Sequence, residues 1–306
     1  EHILTMLKGA MAELKVGRPQ QLTTDVGPVI DKVAQQRLLD HIGALKKAAK
    51  SCYQVPIAQD IAENGIFVPP TLLEIESISQ LKHEVFGPVL HVIRFDAEKL
   101  PQVMAEINST GFGLTSGLHS RIDETVDLWL DTIHAGNLYV NRNTVGAVVG
   151  VQPFGGMGLS GTGPKAGGPL YLQRLVNRSE WQLAGLEGGQ AGSCEPIIAG
   201  IKAVLKGAEQ QDALDLVASL SRQSPLGKVH KMQGITGEQN FMRLEARPMI
   251  AISNGLLMQQ IQALIAVTVC GAKAVVHQHS ALAKYAQHFT GHLLVVTNDF
   301  NSLANL

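Results

Sequence analysis

Gly136-Asn137-Leu138-Tyr139-Val140-Asn141-Arg142, continued by Gly146-Ala147 and by Pro153-Phe154-Gly155-Gly156-Met157-Gly158-Leu159-Ser160-Gly161-Thr162-Gly163, is the stretch that decides how this chain is read. A short apolar strand, Leu138 to Val140, runs into Asn141 and Arg142. The backbone then crosses residues 143–163, which hold seven glycines and one aromatic. Glycine tolerates positive φ and leaves room for a ligand against the backbone, so the segment reads as an active-site loop.

Working outward, apolar residues at helical spacing fill Glu1 to Lys15 and Val33 to Lys50, the second helix entered through Asp31 as N-cap. Gly65 to Leu73 reads as a strand whose prolines suit an edge or a bend, and Pro88 to Phe95 as a second strand. A helix over Pro101 to Asn108, a strand over Leu114 to His119, a helix over Asp123 to His134 and the strand Asn137 to Val140 follow. This alternation predicts a parallel α/β sheet. Gly185, Gly188, Gly189 and Gly192 form a linker over 185–193. Beyond it, Glu195 to Ser221 reads as helix, and Arg247–Asn254, Leu256–Thr268 and Ala272–His277 read as a β-α-β unit.

The composition narrows the class. Hydrophobic residues make up 45% and charged residues 17%, against roughly a quarter charged in ordinary soluble domains, which points to extensive buried area, subunit interfaces included. A net charge of −1 gives no field for nucleic acid or an anionic membrane. The longest apolar run, Leu264 to Val269 and then Ala274 to Val276, is broken by Cys270, Gly271 and Lys273 and falls short of the roughly 18 residues a membrane span needs. Three widely spaced cysteines, at 52, 194 and 270, form no Cys-Xaa-Xaa-Cys pair, which suits a reducing, cytoplasmic setting. The chain opens at Glu1 inside an amphipathic helix, and we expect it to be cut from something longer.

The Gly-Asn-Xaa-Tyr-Xaa-Asn-Arg and Pro-Phe-Gly-Gly-(three residues)-Ser-Gly-Xaa-Gly patterns, with Glu84-Val85-Phe86-Gly87-Pro88-Val89 upstream, resemble the C-terminal half of an NAD-dependent aldehyde dehydrogenase. Gly146 to Gly156 and the tail Gly163-Pro164-Lys165-Ala166-Gly167-Gly168-Pro169 are similar to the L-glutamate γ-semialdehyde (Δ1-pyrroline-5-carboxylate) dehydrogenases of the bifunctional proline-utilisation (PutA) group. The resemblance implies three segments. Residues 1–169 are the C-terminal part of the catalytic domain, and 170–184 an interface strand that pairs across subunits of a homo-oligomer. Residues 185–306 are a degenerate Rossmann-like α/β domain. The family's nucleotide-binding start carries Thr-Gly-Glu-Xaa-Asn, here Thr236 to Asn240, but its ribose-holding Lys-Pro-Xaa-Glu is replaced by Val276-His277-Gln278-His279. We therefore read this domain as a non-binding relative.

An ionised carboxylate at Glu84 accepts both hydroxyls of a ribose. The resemblance gives Glu84 that role at the nicotinamide ribose of NAD, with Phe86 near the ring. The other reading is a solvated glutamate beside a core phenylalanine. Gly146 and Ala147 offer consecutive N–H groups that can cradle a carboxylate, and the resemblance makes them the anchor for the α-carboxylate of a small-molecule substrate. The other reading is an ordinary turn, and Val145 stands where the family often has threonine. Phe154 is either the apolar wall of the substrate site or a core aromatic.

Gly156-Met157-Gly158-Leu159-Ser160-Gly161 also fits Gly-Xaa-Gly-Xaa-Xaa-Gly, but Thr162-Gly163-Pro164 cannot open the helix that a pyrophosphate needs. Lys165 lacks the ending of a phosphate-loop lysine. His277, His279, His288, His292 and Cys270 are too loosely spaced for a metal centre, and none is expected.

No cysteine has the family's Gly-Gln-Xaa-Cys setting. Cys52 lies near a helix end, Cys194 in the linker, and Cys270 in an apolar run that suits a buried thiol. The resemblance places the nucleophile and the primary NAD fold upstream of Glu1, so the fragment alone is expected to be inactive, its partner being that upstream half. FAD would belong to a separate proline dehydrogenase domain. Two alternatives stand: an aldehyde dehydrogenase for another semialdehyde, and a non-catalytic assembly or lid module.

Overall fold

The computed structural model describes residues 2–161, 163–168, 170–176 and 193–296. The chain divides into two compact units, Glu1–Val145 with Gly155–Gly163, and Gly146–Phe154 with Pro164–Leu306.

In the first unit, helices α1 (His2–Ala12) and α2 (Lys32–Lys46) precede strand β1 (Ser51–Gln54), helix α3 (Gln59–Glu63), and strands β2 (Thr71–Glu74) and β3 (Val89–Val92). Helix α4 (Leu100–Ser109), β4 (Phe112–Gly113), β5 (Thr115–Leu118), α5 (Asp123–Thr132), β6 (Asn137–Val140) and β7 (Met157–Gly158) follow. Helix α2 starts where the sequence predicts. Asp31 Oδ1 accepts from the Ala34 N–H at 2.7 Å, satisfying one of the donors that a helix start leaves open. Its apolar face packs Leu38 and Ile42 against Val68, with Val29, Val85 and Val89 around them.

Strand β2 is the middle of three, antiparallel to β1 and parallel to β3, and all four of its residues are buried. It is therefore not an edge. Pro69 and Pro70 mark the bend before it, where Pro70 still contributes its carbonyl to the Val55 N–H at 2.9 Å. Glu74 ends the strand with a buried carboxylate that accepts from Ser51 Oγ at 3.0 Å and Arg94 Nε at 2.6 Å. Burial alone would raise its pKa, but Arg94 and Ser51 outweigh burial and hold the carboxyl below the ordinary glutamate value.

Strands β5 and β6 pair in parallel, and Met104, Trp129 and Ile133 of the adjoining helical segments pack with Leu118, Leu138 and Val140. The parallel pairing predicted from the alternation is thus found in β2–β3 and β5–β6. The strand β1 that joins antiparallel is short, and its Ser-Cys-Tyr-Gln sequence carries no apolar alternation.

The second unit contains helices α6 (Glu195–Val204) and α7 (Gly207–Gln223), the antiparallel hairpin β8 (Val229–Met232) and β9 (Asn240–Arg243), then β10 (Met249–Ala251), α8 (Leu257–Val269), β11 (Lys273–His277) and β12 (Leu293–Val296). The order β10-β11-β12 is a parallel sheet, which contains the expected β-α-β unit. Ile197, Ile201, Ile261, Leu264, Ile265 and Phe289 form the centre of its core. The segment 195–221, which reads as helix, is divided between α6 and α7. Leu205 and Lys206 take extended backbone, with ψ 158° at each, which ends α6 before α7 begins at Gly207. The expected interface strand over 170–184 falls partly outside the described residues. Within them, Leu172–Leu175 form a 3-10 turn, with the Tyr171 N–H bonded to Gly168 O at 3.1 Å.

Gln260 is a buried polar residue of α8. Its Nε2 donates to Ser253 O and its Oε1 accepts from the Leu282 N–H, each at 2.9 Å. Gln260→Leu keeps the bulk but orphans the buried Leu282 amide, and we expect a loss of about 1–3 kcal/mol. Urea unfolding checks this: a lower midpoint at unchanged slope is expected, and an unchanged midpoint would contradict it.

Candidate functional site

The residues singled out in the sequence fall in both units. In the first unit the Gly136-Asn137 and Gly155-Gly156 ends of the opening motif meet directly. A Cβ on Gly136 would stand 1.8 Å from Gly155 O, so no side chain fits there. Asn137 Oδ1 accepts from the Gly155 N–H at 3.2 Å, and Ser160 Oγ accepts from the Gly113 N–H at 3.0 Å. The residues of the pattern are thus bound to one another, and they fix the ends of the loop between them.

Glu84 and Phe86 lie on the approach to β3. Val85 points inward onto the α2 cluster, and a Cβ on Gly87 would come within 2.4 Å of Leu38 Cδ1. The Thr71 N–H bonds Pro88 O at 2.9 Å, which joins the segment to β2. With its neighbours pinned inward, the chain turns both Glu84 and Phe86 outward, Phe86 at 87% exposure. A phenylalanine so exposed is not a core residue, and its ring face and the adjacent carboxylate are open to a ligand. These residues fit an NAD ribose and nicotinamide in chemistry: two hydroxyl donors meet an acceptor-only carboxylate, and an aromatic edge lies two residues away.

The second unit holds Gly146, Ala147 and Phe154 on one loop. Gly146 has φ +68°, the geometry that turns consecutive N–H groups toward one point. Among the described residues, neither the Gly146 nor the Ala147 N–H has an acceptor within the chain. The loop is braced from its far side. Gln152, at 8% exposure, accepts the Val148 N–H on its Oε1 at 2.9 Å, and its own N–H bonds Val148 O at 2.8 Å. Gln152 Nε2 donates to Glu238 Oε2 at 2.9 Å, across 86 residues of sequence. Phe154 is half-buried and exchanges two backbone hydrogen bonds with Ala166, at 3.0 and 2.9 Å. Nearby in the chain, Lys165 is partly buried. Burial lowers its pKa from the ordinary lysine value, with Glu245 pulling the other way.

The cysteines depart from their expected settings. Cys52 is in strand β1, paired with Leu73, and not at a helix end. Cys194 caps α6, with Sγ 3.5 Å from Ser221 Oγ. Cys270 is exposed, not buried, because it sits at the C-cap of α8 where the helix hands over to Gly271 at φ +74°. Desolvation nonetheless raises its thiol pKa, and a helix C-terminus disfavours the thiolate further. Among the described residues, no three His, Cys, Asp or Glu side chains are grouped to hold a metal. No helix among them is long and apolar enough to cross a membrane. Gln152 and Glu238 were not evident from sequence, since nothing local to either residue points to the other.

The chain belongs to the aldehyde dehydrogenase family, whose pattern it matches over residues 1–179. Among curated proteins it is 45% identical to "Bifunctional protein PutA" of Klebsiella aerogenes over 260 residues, which is 81% of this chain and 20% of that protein. It is 34% identical over 174 residues to "1-pyrroline-5-carboxylate dehydrogenase" of Bacillus mycoides, covering 56% of this chain and 33% of that one. Solved structures of proline utilization A also match. A Bradyrhizobium japonicum mutant has 51% identity and a TM-score of 0.54 over 56% of this chain and 17% of its own. The Bdellovibrio bacteriovorus protein has 34% identity and a TM-score of 0.52 over 56% of this chain and 18% of its own. The chain therefore spans a fifth of the length of the Klebsiella relative.

Proposed function

We propose that this chain supplies the C-terminal half of an NAD-dependent L-glutamate γ-semialdehyde dehydrogenase, the enzyme that forms L-glutamate in proline catabolism. The observation that carries the reading is the Gly146-Ala147 pair, two amides without an acceptor in the described chain, on a braced loop. A neutral aldehyde has no use for such a cradle, whereas an aldehyde bearing an α-carboxylate does. Phe154 lies next to it against the aliphatic carbons, and Glu84 and Phe86 hold the nicotinamide end of the cofactor. NAD supplies the hydride acceptor when bound. In this reading residues 1–169 are the catalytic part, 170–184 a strand for homo-oligomer contacts, and 185–306 a domain that has lost cofactor binding. The nucleophilic cysteine comes from the upstream half, any FAD belongs to a separate upstream domain, and the protein works in the cytoplasm.

The cofactor assignment has its own test, made in the intact enzyme that joins this chain to its upstream half. Glu84→Ala removes charge-assisted hydrogen bonds of about 1.5–3 kcal/mol each, so apparent NAD affinity should fall at least about tenfold. Aldehyde binding should change less. An unchanged Michaelis constant for NAD, with unchanged turnover, would contradict the assignment.

A further inference from the structure

We infer that Glu238 is a positioning residue for the substrate-anchoring loop, acting through Gln152, so that the hairpin of the C-terminal domain helps to set the enzyme's preference for acid-bearing aldehydes. The inference rests on the reading of Gly146-Ala147 as the carboxylate anchor. Gln152 is buried, and both ends of its side-chain amide are used. Oε1 fixes the Val148 amide one residue beyond Ala147, and Nε2 donates to the carboxylate of Glu238 at 2.9 Å. Rotation of this amide would put Nε2 against the Val148 N–H and Oε1 against a carboxylate, and both contacts would be repulsive. Glu238 thereby selects the one orientation in which the Val148 N–H is held.

Glu238 is itself held. It lies in the turn between β8 and β9, where its N–H bonds Ile235 O at 3.0 Å, Gly237 takes φ +87°, and a Cβ on Gly234 would come within 2.6 Å of Glu238 O. The same turn carries Thr236 to Asn240, the stretch that in the family precedes a nucleotide-binding strand. Here one of its side chains reaches the loop at 146–152. A segment with no cofactor to bind has acquired a different use in this chain, the fixing of a loop 86 residues away.

The test is made in the intact enzyme by hydrogen exchange of the 146–152 amides, together with steady-state kinetics on L-glutamate γ-semialdehyde and propanal. Glu238→Ala should speed exchange at Val148 at least tenfold. It should raise KM for the semialdehyde by a similar factor, with kcat and propanal turnover little changed. Glu238→Gln, which still offers an oxygen to Gln152, should stay close to wild type. Gln152→Glu sets two carboxylates against each other and should behave like Glu238→Ala, whereas Gln152→Glu combined with Glu238→Gln restores a donor–acceptor pair and should recover both readouts. This swap carries the test if Glu238→Ala does not fold. Unchanged exchange in Glu238→Ala and Gln152→Glu, or a swap as impaired as Gln152→Glu alone, would overturn the inference. If exchange rises and is rescued while both substrates respond equally, the positioning stands and the carboxylate-anchor reading fails.

Discussion

Purified by itself, the 306-residue chain is expected to oxidise no aldehyde with NAD. Aldehyde oxidation of this type needs a thiolate in an oxyanion-stabilising setting, and in the proposed reading that thiolate comes from the upstream half and not from the three thiols of this chain. Cys52 is paired inside a sheet, Cys194 caps a helix, and the Cys270 thiol is pushed up at a helix C-terminus. Adding the upstream half, expressed separately, should bring activity back, because the two halves line one cavity in the proposed enzyme. The assay is NADH formation with the chain, the partner half and the mixture. Turnover by the chain alone, abolished by mutating one of its own cysteines, would show that the nucleophile is already present.

The second large effect is expected at the anchor loop. Ala147→Pro removes one of the two open N–H donors and fixes φ near −65°, which disturbs the cradle beside Gly146 at φ +68°. A hydrogen bond to a charged group contributes about 1.5–3 kcal/mol, so kcat/KM for L-glutamate γ-semialdehyde should fall tenfold to about a hundredfold. Propanal, which lacks the carboxylate, should lose far less. The ratio between the substrates is the readout, because proline can disturb any loop. Equal losses in a protein of unchanged Tm would reduce Gly146-Ala147 to a turn.

Much of the fold was legible wherever periodicity and punctuation agree. Asp31 marks the start of α2 and caps it, and the strand–helix–strand rhythm from Leu114 to Val140 yields β5, α5 and β6. The β-α-β order after Arg247 yields β10, α8 and β11. What escaped was long-range or locally weak. Strand β1 has no alternation, and the polar hairpin β8–β9 alternates exposed and half-buried residues, with no fully buried residue in either strand. The break before α7 is two residues of extended backbone, Leu205 and Lys206, which apolar spacing does not report. Cys270 lies in an apolar run that suits a buried thiol, but the helix ends at that residue and leaves it exposed.

The candidate site was legible as a pattern more than as a geometry. Glycines at 136 and 156 are explained by backbone approaches that only the folded chain reveals, with Gly155 O and Ser160 O in the way of any Cβ. The outward Phe86 follows from the alternation Glu84 out, Val85 in, Phe86 out, once Val85 is known to face α2. The Gln152–Glu238 contact has no local signature, because a glutamine and a glutamate 86 residues apart become partners only through the packing of the second unit.

The central claim is that this chain belongs to an enzyme built for an aldehyde carrying an α-carboxylate, and substrate preference tests it most directly. NADH formation by the intact enzyme should be measured with L-glutamate γ-semialdehyde and with propanal under identical conditions. Two backbone donors, each contributing about 1.5–3 kcal/mol toward a carboxylate, predict a kcat/KM at least about a hundredfold higher for the semialdehyde. Propanal turned over as well as or better than the semialdehyde would contradict the account.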